Sequence, residues 1–117
     1  MTLAHQVVPI LPCNDLDRTQ AFYERLGFAV IGGDSGFRLM GDGKGWRINL
    51  RQAEPGWVIP GRNSHGLLLQ VDDVDAVADR VRDIIVEKGA PHVKPWGTYE
   101  FAVGDPDGVL VRIGRPA

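Results

Sequence analysis

The chain is poor in the features that would assign it to a specialised class. Cys13 is its only cysteine, so an internal disulfide and a multi-cysteine zinc site are both excluded. That cysteine sits between Pro12 and Asn14, with no basic neighbour to lower its pKa, and reads as incidental rather than reactive. Neither sign of charge dominates. Thirteen basic against fifteen acidic side chains give a net charge of −2, and nothing in that balance attracts a phosphate backbone or an anionic membrane. No membrane partner and no nucleic acid are therefore expected. Long apolar runs are missing too: Val7–Leu11 is broken by Pro9 and followed at once by Pro12. A basic segment leading into an apolar core and a cleavage site is also absent, which makes a cytoplasmic protein the expectation.

What remains is ordinary globular composition, 44% hydrophobic and 24% charged over 117 residues. That is enough chain for one domain with one core. Within it one pattern is written twice. Val7-Val8-Pro9-Ile10-Leu11 is a short apolar run followed by Asn14-Asp15-Leu16-Asp17, and Leu67-Leu68-Leu69-Gln70-Val71 is followed by Asp72-Asp73-Val74-Asp75. In each copy an acidic residue or Asn stands where it can accept from the free N–H groups of a first helical turn.

Helical spacing follows in both copies. Leu16, Thr19, Phe22, Tyr23 and Leu26 form one stripe; Val74, Val77, Ala78, Val81, Ile84 and Ile85 form the other. Gly27 and Gly89 are the expected helix stops. Strand-like runs come next: Phe28–Ile31, Phe37–Met40 and Trp46–Leu50 in the first half, then His92–Lys94, Tyr99–Val103 and Val109–Ile113 in the second. Turn residues separate them. Residues 53–64, with Pro55, Gly56, Pro60 and Gly61, read as a linker. The expected fold is α+β, a single domain over 1–117 made of two βαβββ modules, about 1–52 and 65–117. Modules this short must share a core, which suggests one curved mixed sheet with helices outside.

With those elements placed, the sequence resembles the vicinal-oxygen-chelate superfamily, which includes glyoxalase I, extradiol dioxygenases, fosfomycin-resistance enzymes and bleomycin-resistance proteins. The residues that carry the resemblance are Asn14-Asp15-Leu16-Asp17, Ala21-Phe22-Tyr23-Glu24-Arg25-Leu26-Gly27-Phe28 and Asp105-Pro106-Asp107-Gly108. A narrower similarity is to the bleomycin-resistance proteins. Val8-Pro9-Ile10-Leu11 resembles their first strand, which is exchanged between subunits at a proline, here Pro9. Pro95-Trp96-Gly97 with Glu100-Phe101-Ala102 resembles their aromatic loop and the strand after it.

The resemblance also implies where a divalent metal would be gripped in enzymes of the superfamily. Those positions fall on Val8, Asn49, Gly66 and Arg112. Valine and glycine offer no donor, asparagine is a weak ligand, and a guanidinium repels a cation. His5, His65 and Glu100 are the nearest substitutes, and His65 is one residue out of step, which in a strand turns it to the other face. Neither a metal nor a cofactor is expected.

Period-two alternation then sorts each strand. Val8, Ile10, Arg47, Asn49, Arg51, Gly66, Leu68, Gln70, Leu110 and Arg112 face the cup. Trp46, Ile48, Leu50, Leu67, Leu69, Val71, Val109, Val111 and Ile113 face the helices. Arginines, amides and aliphatics suit a polar, planar or acidic ligand. Phe37, Trp57, Trp96 and Tyr99 lie in or beside loops, where aromatics form binding walls. The candidate ligand-binding set is Phe37, Arg47, Asn49, Arg51, Leu68, Gln70, Trp96, Gly97, Tyr99 and Arg112.

The function expected is metal-free binding of a small molecule, a bleomycin-type antibiotic sequestered in a groove at a homodimer interface, rather than catalysis. One feature argues against that drug: it is cationic, its binders are strongly acidic, and this chain is only mildly so with arginines in its cup. Two alternatives stand beside it, a binder of another polar or anionic metabolite or natural product, and a divergent metal-dependent lyase, isomerase or dioxygenase. No paired carboxylates or nucleophile–base spacing support acid–base catalysis.

Overall fold

The computed structural model describes residues 4–117. The elements run β1 (Ile10–Cys13), α1 (Leu16–Leu26), β2 (Ala29–Gly33), β3 (Phe37–Gly41), β4 (Arg47–Gln52), β5 (Gly66–Gln70), α2 (Val74–Arg80), β6 (His92–Val93), β7 (Thr98–Gly104) and β8 (Leu110–Pro116). This is βαβββ twice. The expected single curved sheet is divided into two mixed four-stranded sheets, ordered β1-β4-β3-β2 and β5-β8-β7-β6. In each, the first strand runs parallel to the last and the rest are antiparallel.

The first strand begins later than its apolar run suggests. Proline has no N–H to give a ladder, and pairing starts where the Pro9 carbonyl accepts from the Asn49 N–H at 2.9 Å. Residues 4–9 belong to no element, and Val7 is 92% exposed.

Helix α1 follows its signals closely. The Asp15 carboxylate accepts from the Arg18 N–H at 3.2 Å, and Gly27 closes the helix at φ 114°, a backbone conformation that a side chain opposes. Helix α2 is capped by Asp73 in the same way but stops at Arg80. The apolar stripe expected to continue to Ile85 is instead a single 3-10 turn, Arg82–Ile84. The sheet claims the next residues: Ile85 bridges Val103, and the Val86 N–H donates to the Ala102 carbonyl at 2.9 Å. Gly89 therefore caps no helix and lies in the turn beyond.

Both sheets contribute to one core. Leu11, Met40, Ile48 and Leu50 from the first pack in the same cluster as Phe101, Val103, Val111 and Ile113 from the second, with Leu26, Val77 and Val81 from the helix segments. Fully burying each such side chain contributes about 1.5–3 kcal/mol.

A polar joint ties α1 to the β7–β8 turn. The Tyr23 hydroxyl donates to Asp105 Oδ2 and the Thr19 hydroxyl to Asp107 Oδ2, each at 2.7 Å. Asp105 Oδ1 accepts the N–H groups of Asp107 and Val109 at 2.8 and 3.0 Å, and Asp107 Oδ1 accepts that of Asn14 at 2.9 Å. Both carboxylates are buried. Burial pushes the Asp105 carboxyl above its ordinary value, and burial beside the Asp105 charge pushes the Tyr23 phenol up as well. Cys13, next to the joint, is driven to about 12 by burial and by the Asp107 charge. Gly108 completes the turn because the Pro60 carbonyl oxygen lies 2.2 Å from where a Cβ would stand.

Candidate functional site

The outer faces of the two sheets carry what the core does not use. On the first sheet, Ile10 and Leu39 flank Asn49, and Phe37 stands opposite Arg51. Arg51 turns back onto the linker, its Cζ 4.5 Å from the centre of the Trp57 ring. The Arg47 Nε donates to the Met40 carbonyl at 3.2 Å. On the second sheet, Arg112 lies between Leu68 and Ala102, with its Cζ 5.8 Å from the Trp96 ring. Trp96 and Gly97 form the turn between β6 and β7, and Trp96 is 60% exposed.

A guanidinium beside an indole face and without a carboxylate partner keeps N–H donors for a carboxylate or another planar acceptor. Among the described residues the ion pairs are Arg25–Asp83, Arg38–Asp17, Arg82–Asp79, His92–Glu87 and Lys94–Glu87; none involves Arg47, Arg51 or Arg112. Among the described residues each face also has one buried oxygen without a partner, Asn49 Oδ1 on the first and Thr98 Oγ1 on the second. Buried polar atoms of folded proteins are nearly always paired.

Of the ten residues expected to bind ligand, Phe37, Arg47, Asn49 and Arg51 lie on the first sheet. Leu68, Gln70 and Arg112 lie on the second, with Trp96 and Gly97 beside them. Gln70 and Leu68 share a shallow cleft of about 500 Å³ with Asp42, Lys44 and Trp46, and the Trp46 indole donates to the Gln70 carbonyl at 2.8 Å. Tyr99 stands apart. It shares the face of β7 that carries the core residues Phe101 and Val103, packs against the core, and donates to Asp75 Oδ1 at 2.5 Å, a bond that raises its phenol pKa. The sequence reading passed over Leu39 and gave Glu100 only a metal-ligand role; extending the period-two rule to β3 and β7 places both on the outer faces. Glu100 is buried there, 4% exposed, opposite Gly114.

The donor set does not fit a divalent ion. Val8 and Gly66 have no ligating atom, Arg112 is cationic, and Asn49 alone supplies an oxygen. Among the described residues, no group of three or more His, Cys, Asp or Glu side chains is arranged to hold a metal.

Comparison with known proteins gives a consistent result. The family model described as "Glyoxalase/Bleomycin resistance protein/Dioxygenase superfamily" matches residues 2–113. The chain is 31% identical to a bleomycin resistance protein of Klebsiella pneumoniae, over 95% of this chain and 92% of that one. A bleomycin-binding protein solved in complex with bleomycin superposes with a TM-score of 0.81 at 30% identity, covering 97% of this chain and all 100% of the other. TnmS3, an antibiotic binding protein from Streptomyces sp. CB03234, superposes with a TM-score of 0.71 at 26% identity, over 100% and 99% of the two chains.

Proposed function

The chain belongs to the glyoxalase/bleomycin resistance protein/dioxygenase superfamily, and from that premise we propose that it is a binding protein that sequesters a natural-product antibiotic and carries out no metal-dependent reaction. The observation that carries this reading is the pair of open outer faces, each with an arginine over a tryptophan ring, beside superfamily metal positions that hold Val8, Asn49, Gly66 and Arg112. The relatives named for bleomycin make a bleomycin-type drug the first ligand of choice.

The groove is completed by a second copy of the chain, the outer face of one protomer's first sheet opposing the outer face of its partner's second. Exposed apolar side chains on those faces support this arrangement: Ile10 is 57% exposed and Leu68 52%. Residues 4–8, which belong to no element of their own chain, reach across to the partner.

Titrating bleomycin into the protein while following tryptophan fluorescence and heat tests the reading. Saturable binding is expected, weakened at least tenfold by Trp96→Ala. The absence of both a fluorescence change and heat at millimolar drug defeats the bleomycin assignment. A second reading has its own support in Arg47, Arg51 and Arg112, which have no carboxylate partners among the described residues. They favour a ligand with an anionic or strongly polar planar group over a cationic drug.

A further inference from the structure

The turn that carries Trp96 has a fixed backbone and an exposed side chain. Lys94-Pro95-Trp96-Gly97 has proline at its second position and glycine at its fourth, the signature of a type I turn. The Gly97 N–H donates to the Lys94 carbonyl at 3.0 Å, and the Lys94 N–H donates to the Thr98 carbonyl at 2.7 Å. These bonds hold the main chain alone. The Trp96 side chain stands in water, and an indole free to change rotamer loses that freedom when a ligand packs on it.

Two cations lie beside that ring, Arg112 with its Cζ at 5.8 Å from the centre and Lys94 with its Nζ at 5.9 Å. Arg112 is exposed. Lys94 differs: its side chain is only 13% exposed, and an ammonium so far out of water needs an anionic partner. Glu87 supplies it. Its Oε2 accepts from the Lys94 Nζ, while its Oε1 lies 3.3 Å from His92 Nε2. The Lys94 bond holds the Glu87 carboxyl below its ordinary value. Glu87 is placed in turn by the main chain just before it, where Ile85 bridges Val103 and the Val86 N–H donates to the Ala102 carbonyl at 2.9 Å. Further along the same edge of β7, His92 pairs with Glu100. The carboxylate thus ties together two segments on one strand edge, and the tie ends at the Trp96 ring.

We propose that Glu87 is a positioning residue for the ligand site: by holding Lys94 against the Trp96 ring, it sets the indole before a ligand arrives. The inference rests on the proposed function, in which Trp96 meets the antibiotic; Glu87 acts through Lys94 and not on the ligand. Without the carboxylate, nothing keeps the Lys94 ammonium out of water. It swings outward, and Trp96 loses one of the two cations that fix it. The ligand then has to order the indole itself, which for one immobilised side chain lowers affinity about threefold to tenfold.

The test uses the intact protein, isotopically labelled at tryptophan. Relaxation of the indole N–H groups reads the order of Trp96 in the free protein, with Trp46 and Trp57 as references, and bleomycin titration reads affinity. In Glu87→Gln the Trp96 indole should become more mobile while Trp46 and Trp57 stay unchanged. The urea midpoint should not move, since a pair of this kind at the surface contributes little to stability. Drug affinity should fall about threefold to tenfold. In a Trp96→Ala background the same substitution should change affinity less than about twofold, because the two residues act as one unit. Asp79→Asn removes an equal charge from α2 and should alter neither reading. Unchanged Trp96 order in Glu87→Gln overturns the inference. So does an affinity loss of equal size with and without Trp96, which means that Glu87 acts on the ligand directly. If the unaltered protein binds no bleomycin, the drug assignment fails, and the relaxation measurement alone decides the role of Glu87.

Discussion

The joint between α1 and the β7–β8 turn and the outer faces of the sheets both hold polar groups, under opposite conditions. In the joint, Tyr23, Thr19, Asp105 and Asp107 are out of water, and their side-chain oxygens find partners at 2.7–3.0 Å. On the faces, Arg51 and Arg112 are exposed, lie over tryptophan rings and make no ion pair among the described residues. A buried network is costly to break, because each group stranded out of water loses its partner; an open one contributes little until something arrives to complete it. The family motifs Phe22-Tyr23 and Asp105-Pro106-Asp107-Gly108 therefore hold the fold together, while the proposed function assigns ligand choice to residues that the motifs do not include.

The contrast is sharpest in stability. Asp105→Ala leaves the Tyr23 hydroxyl and two turn N–H groups without an acceptor. Unfolding in urea should show a loss of about 4 kcal/mol, from roughly 1–3 kcal/mol for each stranded group. Arg112→Ala should change the same measurement by no more than about 0.5 kcal/mol, as at other exposed sites. Tyr23→Phe removes one bond to a buried carboxylate and should cost about 2 kcal/mol. An Arg112→Ala loss equal to that of Asp105→Ala breaks the comparison.

A smaller effect concerns pH. The Asp105 carboxyl is held above its ordinary value of 3.8 chiefly by burial, so between that value and its folded value the native state binds the proton that the unfolded chain has released. Its contribution to stability is fully present below 3.8 and is lost as pH rises through the folded value. The stability of the protein relative to Asp105→Asn should fall across that window; a difference that rises with pH contradicts the burial account. Smallest of all is the reactivity of Cys13. A thiol at about 12 and fully buried holds only a trace of thiolate at pH 8, so maleimide should label it no faster than the chain unfolds.

Much of this was legible in the sequence. Alternation assigned Ile48, Leu50, Leu69, Val109, Val111 and Ile113 to the interior, and all are buried. The helix caps Asp15, Asp73 and Gly27 stand where side-chain chemistry requires them. What failed depended on competition between elements. The stripe Val81, Ile84, Ile85 has helical spacing, yet backbone bonds to β7 take the chain away from the helix. The run Val7–Pro9 is apolar enough for a strand but has no ladder to join. Periodicity is equally blind to the joint, because Asp105 and Asp107 read as turn residues until α1 packs against them. The site was legible only as two faces. In the proposed dimer their meeting depends on a second chain, which no residue pattern encodes directly.

That meeting of faces is best tested by complementation. Arg51→Ala and Arg112→Ala chains, each expected to bind the antibiotic weakly alone, are co-expressed and the mixed dimers are titrated. If one protomer's first sheet opposes its partner's second, each mixed dimer has one groove with both arginines intact, and tight sites reappear. If mixing restores none, the groove is not shared between protomers in this way.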